Sequence, residues 1–342
     1  MSTVAQLGST NAGSGTSSRA KAPVFVIGSP RSGTTLLYHM ILSAGNFAVY
    51  RTESHVFTMI AARYGDLSVQ KNREQMVDQW LKSKYFRLTG LDAQTIRAQI
   101  VSECRSGGDF LRIVMENMAR AQHVERWAEN TPEHILYLKE IKRTIPNALF
   151  VHIIRDGRDV ALSLDKQGWV KPFPWHKDAG PLVCGIYWEW IVEAGRKVGP
   201  SFGADYMELH YEDLIVNPRE TLSRIGQFIQ HDLDYDRILE VGIGSVREPN
   251  TSFDAASGQP FNPVGRWKKS YTPEMLAKLE GMIGGFLKAA DYELATPESD
   301  IPDTVALKNM RAMYRTYFAS RLWAKSHVPL ANRLVDISWM QE

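Results

Sequence analysis

Residues 24–35 read VFVIGSPRSGTT, and the order of residue types along this stretch decides the fold. Val24, Phe25, Val26 and Ile27 form a short apolar run without a polar position, the pattern of a strand buried on both faces. A Gly-Ser-Pro-Arg-Ser-Gly turn follows. From Thr34 onward Leu36, Leu37, Met40, Ile41 and Ala44 fall at helical spacing, and Gly45 stops the helix. Strand, glycine loop and helix N-terminus in this order make an anion cradle, because the first N–H groups of a helix have no partner within it. Gly28 and Gly33 have the spacing of a phosphate-binding P-loop. A nucleoside-triphosphatase needs a lysine directly after the second glycine, but Thr34 stands there and the cation is Arg31, inside the loop. This argues against ATP or GTP hydrolysis and suits a shorter 5′-phosphate chain.

Working outward, the pattern repeats. Ala148–Ile154 (ALFVHII) reads as a second buried strand, Tyr206–His210 as a third, with helices expected over about 132–144, 182–197 and 218–230. Thr131 is the expected N-cap of the first of these, with Pro132 in its first turn. Alternation of this kind implies an α/β, P-loop-like three-layer fold, a mainly parallel central sheet flanked by helices. Ligands of such sheets bind beyond the carboxyl ends of the strands, which places residues 28–35, 155–163 and 211–213 around one site. Residues 56–127 read as a helical insertion on the acceptor side, with one clear break at Ser106-Gly107-Gly108. Residues 246–266, rich in Pro, Gly, Asn and Ser, read as a long functional loop. Residues 1–21 are rich in Ser, Thr, Gly and Ala and are expected to be a disordered leader, ahead of a domain over 22–300.

Composition narrows the function classes. The formal net charge of +2 on 342 residues gives no whole-molecule attraction to nucleic acid. Cys104 and Cys184 stand alone, without a C-x-x-C or Cys/His cluster, so neither a disulfide framework nor a structural zinc site is expected. No apolar run reaches the ~18 residues that span a bilayer, and the N-terminus lacks the features of a secretory signal. A cytoplasmic location is the expectation, with peripheral membrane contact through residues 304–335 as an added option. That segment carries Lys308, Arg311, Arg315, Arg321, Lys325 and Arg333 without an acidic residue, together with Tyr314, Tyr317, Phe318, Leu322 and Trp323. A basic amphipathic helix of this kind can lie on a membrane, cover an anionic acceptor, or pack its aromatic face on the domain.

After the second strand comes Arg155-Asp156-Gly157-Arg158-Asp159-Val160-Ala161-Leu162-Ser163. Two arginines at a strand end leading into a helix form a second anion site, unless they merely pair with Asp156 and Asp159 on a solvated turn. Two cradles at neighbouring strand ends call for a ligand with two separated anionic ends and a flat middle. Adenosine 3′,5′-bisphosphate (PAP) and its sulfated parent meet that demand.

At this point the chain resembles the sulfotransferases that use 3′-phosphoadenylyl sulfate (PAPS) as donor. GSPRSGTT (28–35), IIRDGRDVALS (153–163), HYEDLIVNP (210–218) and GRWKKS (265–270) carry the resemblance over about residues 22–292. The layout is closest to the bacterial and Golgi-type branches, with arginine in the first loop. The resemblance implies that Arg31, Ser32, Gly33, Thr34 and Thr35 hold the 5′-phosphosulfate, that Arg155 and Ser163 hold the 3′-phosphate, and that Tyr211 faces the adenine. It implies that Gly265 and Arg266 cap the 3′-phosphate; Trp267 takes either an adenine-side or a core-packing role. Sulfuryl transfer needs a base for the acceptor hydroxyl and cations for the leaving phosphate, and no metal. Glu53 resembles the catalytic glutamate of related branches, and His55, expected on the other side of an extended segment, is the second candidate. Where relatives often carry a lysine before Thr/Ser/Asp-Pro, this chain has Asn130. The expected acceptor is a small molecule, carbohydrate or glycolipid. A P-loop kinase and a catalytically silent PAP-binding protein are the alternatives.

Overall fold

The computed structural model describes residues 19–248 and 262–328. Its centre is a four-stranded sheet of β1 (Val24–Gly28), β2 (Ala128–Glu129), β3 (Leu149–Ile154) and β4 (Tyr206–His210), parallel throughout in the order β2-β1-β3-β4. The apolar runs become strands because both faces of the sheet are covered. Phe25 and Ile27 of β1 face one core with Phe150 of β3, while Val24 and Val26 face a second core with Leu149, Val151 and Ile153. Each such buried side chain contributes about 1.5–3 kcal/mol.

Fifteen helices surround the sheet among the described residues. They are α1 (Thr34–Ser43), α2 (Ala61–Tyr64), α3 (Gln70–Trp80), α4 (Lys84–Arg87), α5 (Ala93–Glu103), α6 (Gly107–Ala121), α7 (Leu138–Thr144) and α8 (Gly157–Gln167). The later ones are α9 (Gly180–Val198), α10 (Tyr211–Val216), α11 (Pro218–Ile229), α12 (Tyr235–Val241), α13 (Trp267–Ser270), α14 (Pro273–Ala289) and α15 (Val305–His327). Residues from α1, α10 and α11 cover one face, and α3 to α7 build the core on the other. A third core, between α8, α9, α14 and α15, closes the molecule beside the sheet. The expected three-layer α/β architecture is therefore present.

The register explains where the site lies. Gly28 pairs with Ile153 and Ile154 pairs with His210, so β1, β3 and β4 end level with one another. The loops that follow them, at Ser29, Arg155 and Tyr211, emerge side by side.

Several local expectations need correction. The insertion is broken by turns at 65–69, 81–83 and 88–92 besides the one at Ser106, and it begins with a π-helical turn at Val56–Ile60. The break at Ser106 is a cap: its side chain accepts from Asp109 N and starts α6. Thr131 caps nothing, because its hydroxyl is bonded to Glu129, and Pro132–Tyr137 is a 3-10 turn rather than α-helix. The two-residue strand β2 is too short for any alternation to show in sequence. Residues 1–18 of the expected leader lie outside the described residues, but Arg19 is anchored, donating to Phe228 O at 2.6 Å and to Asp205 at 2.8 Å. Most of the 246–266 loop, residues 249–261, also lies outside them.

Candidate active site

The P-loop leaves β1 and turns through Arg31, whose φ of 70° is left-handed and unusual for a residue with a side chain. Gly33 enters α1 with φ +90°, and a Cβ there would lie 2.2 Å from the Tyr211 ring. Only glycine fits this position. No side chain caps α1, so its first N–H groups stay open toward the loop.

Beside this helix end lies a recess of about 250 Å³ lined by Arg31, Gly33, Thr34, Thr35, Arg155 and Tyr211, together with Ser245, Val246 and Pro263. The first and second loops are welded together here. Arg31 Nε donates to Ser163 Oγ at 3.0 Å, and Arg155 Nη1 donates to Arg31 O at 2.9 Å. Arg155 Nη2 donates to Pro263 O at 2.5 Å, and its guanidinium stands 4.7 Å from the centre of the Tyr211 ring. Burial, and after it the charge of Arg155, lowers the pKa of Arg31. Two buried polar atoms near this cluster, Ser32 Oγ and Arg155 Nε, have no hydrogen-bond partner among the described residues.

The structure places the remaining donor-site residues as follows. Ser163 is buried, and its hydroxyl accepts from Arg31. Gly265, with φ +71°, donates its N–H to Asp159 Oδ2 at 2.7 Å, and Trp267 N donates to Asp159 Oδ1 at 3.0 Å. Asp159 thus fastens the Gly265–Trp267 turn over the second loop, a role its sequence position did not reveal. Arg266 Nε donates to Asn262 O, and the Arg155 charge acts on it. Trp267 is a core residue: it is buried, its Nε1 donates to Asp156 Oδ2 at 3.0 Å, and Arg158 lies 3.9 Å over its ring. Among the described residues it is not part of the recess lining. Both terminal nitrogens of Arg155 bond carbonyl oxygens in this structure.

Glu53 and His55 meet. His55 has a left-handed φ of 50°, which turns the chain so that its Nε2 lies 3.4 Å from Glu53 Oε2 instead of pointing to the opposite side. Burial first, then the Glu133 and Glu129 carboxylates, push the Glu53 carboxyl up to about 8, against the opposing effect of Arg31. Burial and the neighbouring His134 push His55 down to about 4. At neutral pH the histidine is therefore neutral and a weak base, while Glu53 titrates near the working pH. Of the two, the Glu53 carboxylate is the stronger base.

His55 also lines a second recess, of about 470 Å³. Its aromatic walls are Tyr137, Trp169, Tyr187, Trp190, Tyr317 and Phe318, and its charged groups are Glu133, Lys171, Arg321 and Lys325. From the 56–127 insertion only Thr58 and Met59 contribute, so the acceptor-side walls come mainly from elsewhere. The last helix, α15, supplies one of them. Its aromatic face packs into the third core through Tyr314 and Phe318. Arg311 and Arg315 pair with Glu189, Arg315 also pairs with Glu193, and Lys308 pairs with Asp303. This spends much of the basic face expected at a membrane within the molecule; residues 329–335 lie outside the described residues. The two recesses adjoin, because the Arg31 guanidinium of the first lies 5.6 Å from the ring centre of Trp169 in the second. Asn130 is buried, with Oδ1 unpartnered among the described residues, and of these the second recess holds Lys171 and Lys325 as its lysines.

Comparison with known proteins settles the family. The sulfotransferase family model matches residues 23–236, more than half of the chain. The chain belongs to the sulfotransferase family. Among its relatives, protein-tyrosine sulfotransferase A of Caenorhabditis elegans is 23% identical over 320 residues, covering 90% of this chain and 77% of that protein. The Drosophila melanogaster protein-tyrosine sulfotransferase is also 23% identical, over 77% of this chain and 48% of its own length. The sulfotransferase domain of the Synechococcus PCC 7002 olefin synthase shares the fold, with a TM-score of 0.50 at 16% identity over 87% of this chain and 94% of that one. The protein is thus a sulfotransferase, an enzyme of sulfuryl transfer, and α13 to α15 lie beyond the stretch matched by the family model. Among the described residues no group of three or more His, Cys, Asp or Glu side chains is placed to hold a metal ion, and no helix is long and apolar enough to cross a membrane.

Proposed function

We propose that the sulfotransferase takes its sulfuryl group from PAPS at the P-loop recess and passes it to a phenolic hydroxyl in the aromatic recess. One observation carries this reading: the cation-walled space and the aromatic space adjoin at Arg31 and Trp169, with the Glu53–His55 pair beside them.

The donor fits the chemistry of the first recess. The open N–H groups of α1, the Thr34 and Thr35 hydroxyls and the guanidinium of Arg31 suit a 5′-phosphosulfate. Ser32 Oγ and Arg155 Nε are buried and unpartnered among the described residues, which leaves them able to meet phosphate oxygens. Arg155 can exchange its carbonyl acceptors for a 3′-phosphate, because a guanidinium bond to an anionic oxygen adds ion-pair attraction that a neutral carbonyl lacks. PAPS supplies an activated sulfuryl group on a phosphate leaving group. Glu53 accepts the acceptor's proton as the new oxygen–sulfur bond forms and the sulfur–oxygen bond to phosphate breaks. Arg31 meets the charge left on that phosphate.

A phenolic acceptor is supported in two ways. The recess is walled by six aromatic side chains, and relatives of the chain are protein-tyrosine sulfotransferases. A phenol, with a pKa near ~10, also suits a carboxylate base titrating near 8 better than a sugar alcohol does. The carbohydrate and glycolipid acceptors expected from sequence have neither support. Radiolabelled PAPS, offered with a tyrosyl peptide, a small phenol and an alkyl glycoside, tests the reading. Label should pass to the phenols; exclusive labelling of the glycoside, or none at all, would contradict it.

A further inference from the structure

Three anchor points fix the segment that carries Glu53 and His55, and all three lead to one carboxylate. Glu129, at the end of β2, is 2% exposed and lines neither recess. Its Oε1 accepts from Ser54 N at 3.3 Å, Ser54 Oγ at 2.7 Å and Thr131 Oγ1 at 2.6 Å. Its Oε2 accepts from Thr131 N at 3.0 Å and pairs with His134 Nδ1 at 2.8 Å. The two partners then reach back to the same segment. Thr131 Oγ1 accepts from His55 N at 3.1 Å, and His134 Nε2 accepts from Phe57 N at 3.4 Å. The backbone amides of Ser54, His55 and Phe57 are thus held directly or through one intermediary. The segment needs this, because the left-handed His55 that brings the two side chains together is a conformation other residues rarely hold unaided.

We propose that Glu129, acting through Thr131 and His134, is the positioning residue that fixes the Glu53 carboxylate between the donor and acceptor recesses. Its distance from both recesses means that it touches neither reactant. Its charge also acts on Glu53. Burial opposes ionisation of Glu129, but His134, Thr131 and Ser54 hold its carboxyl down at about 2, so it stays anionic at working pH. That negative charge helps to keep the Glu53 pKa high. The other charged and titratable groups acting on or near Glu53 are Arg31 from the P-loop, Glu133 from the 3-10 turn, His55 from its own segment and Tyr85 from α4. The proposal rests on Glu53 as the base.

Four variants of the full chain test it: Glu129→Gln, Thr131→Val, Thr131→Ser and Glu53→Gln. A displacement near 1 Å costs about 10²-fold in rate. Thr131→Val should therefore lower kcat by at least tenfold while PAP affinity and donor KM stay within twofold, and Thr131→Ser should restore turnover. In a Glu53→Gln background Thr131→Val should cost nothing further, because its effect runs through that carboxylate. In Glu129→Gln the acid limb of the kcat/KM profile should move to lower pH. If Glu129→Gln does not fold, the threonine pair and its combination with Glu53→Gln decide the matter. Unchanged kcat in Thr131→Val, or a parallel fall of kcat and PAP affinity, would overturn the proposal while leaving the assignment of the base intact. Near wild-type turnover in Glu53→Gln would overturn the base and this proposal together.

Discussion

At the residue scale, the proposed reaction depends on Glu53, a carboxyl whose surroundings raise its pKa. Glu53→Gln keeps the shape but cannot accept a proton, so turnover should fall by about 10²–10⁴ with PAP affinity nearly unchanged. His55→Ala should be milder, because a ring held near pKa 4 is a weak base at neutral pH. The pH profile separates the two. With Glu53 as base, kcat/KM rises through about pH 8; a rise near pH 4 would point to His55 instead. The same shift has a sign for stability. A carboxyl whose folded pKa lies above its unfolded value stabilises the fold only below the unfolded pKa and costs stability as pH rises toward the folded one. Glu53→Gln should therefore raise Tm at pH 8–9, measured by thermal unfolding, and leave it nearly unchanged below pH 4. This pair was only half legible in the chain. The residue types were visible, but their meeting was not, because it depends on a left-handed His55 where an extended segment separates the two side chains.

At the element scale, the P-loop and the second strand-end loop behave as one device. Gly33→Ala meets both a positive φ, costing about 1–2 kcal/mol, and the Tyr211 ring in the space of the new methyl. It should lower Tm and weaken PAP binding by more than tenfold, as read by calorimetry. Arg155→Ala should cost about 2–4 kcal/mol of PAP binding. Since Arg155 also braces Arg31 O and Pro263 O, adenosine 5′-phosphate should weaken too, but less. Equal losses for the two nucleotides would make Arg155 a brace alone. The strands β1, β3 and β4 and the loop after β1 were legible because a buried parallel strand needs an unbroken apolar run and a cradle needs glycines. What the second loop does was less legible. Asp159 looks like half of a surface ion pair in sequence, yet it accepts two backbone N–H groups from a turn 106 and 108 residues away. Long-range bonds of this kind have no local pattern. Trp267 was ambiguous for the same reason, since the Asp156 and Arg158 that hold it lie across the fold.

At the scale of the whole molecule, the terminal helix is what the sequence concealed. Its basic, aromatic composition reads as a packing face, a membrane surface or a cover for an anionic acceptor, and the third core and the acidic partners on α9 show how it seats. Once seated, it lends Arg321 and Lys325 to the aromatic recess. Arg321→Ala combined with Lys325→Ala should change the acceptor KM severalfold and leave PAP affinity unchanged; a loss of PAP affinity would mean that α15 supports the donor site instead. The central claim is that two adjoining recesses perform one transfer with Glu53 between them. It is tested most directly by following radiolabelled sulfate from PAPS to a phenolic acceptor across pH 6–10, for the wild-type enzyme and Glu53→Gln, with PAP affinity measured alongside. The account predicts transfer that rises through about pH 8 in the wild type and is nearly abolished in Glu53→Gln, with PAP bound equally by both. Absence of transfer by the wild type, or equal transfer by the two proteins, would contradict it.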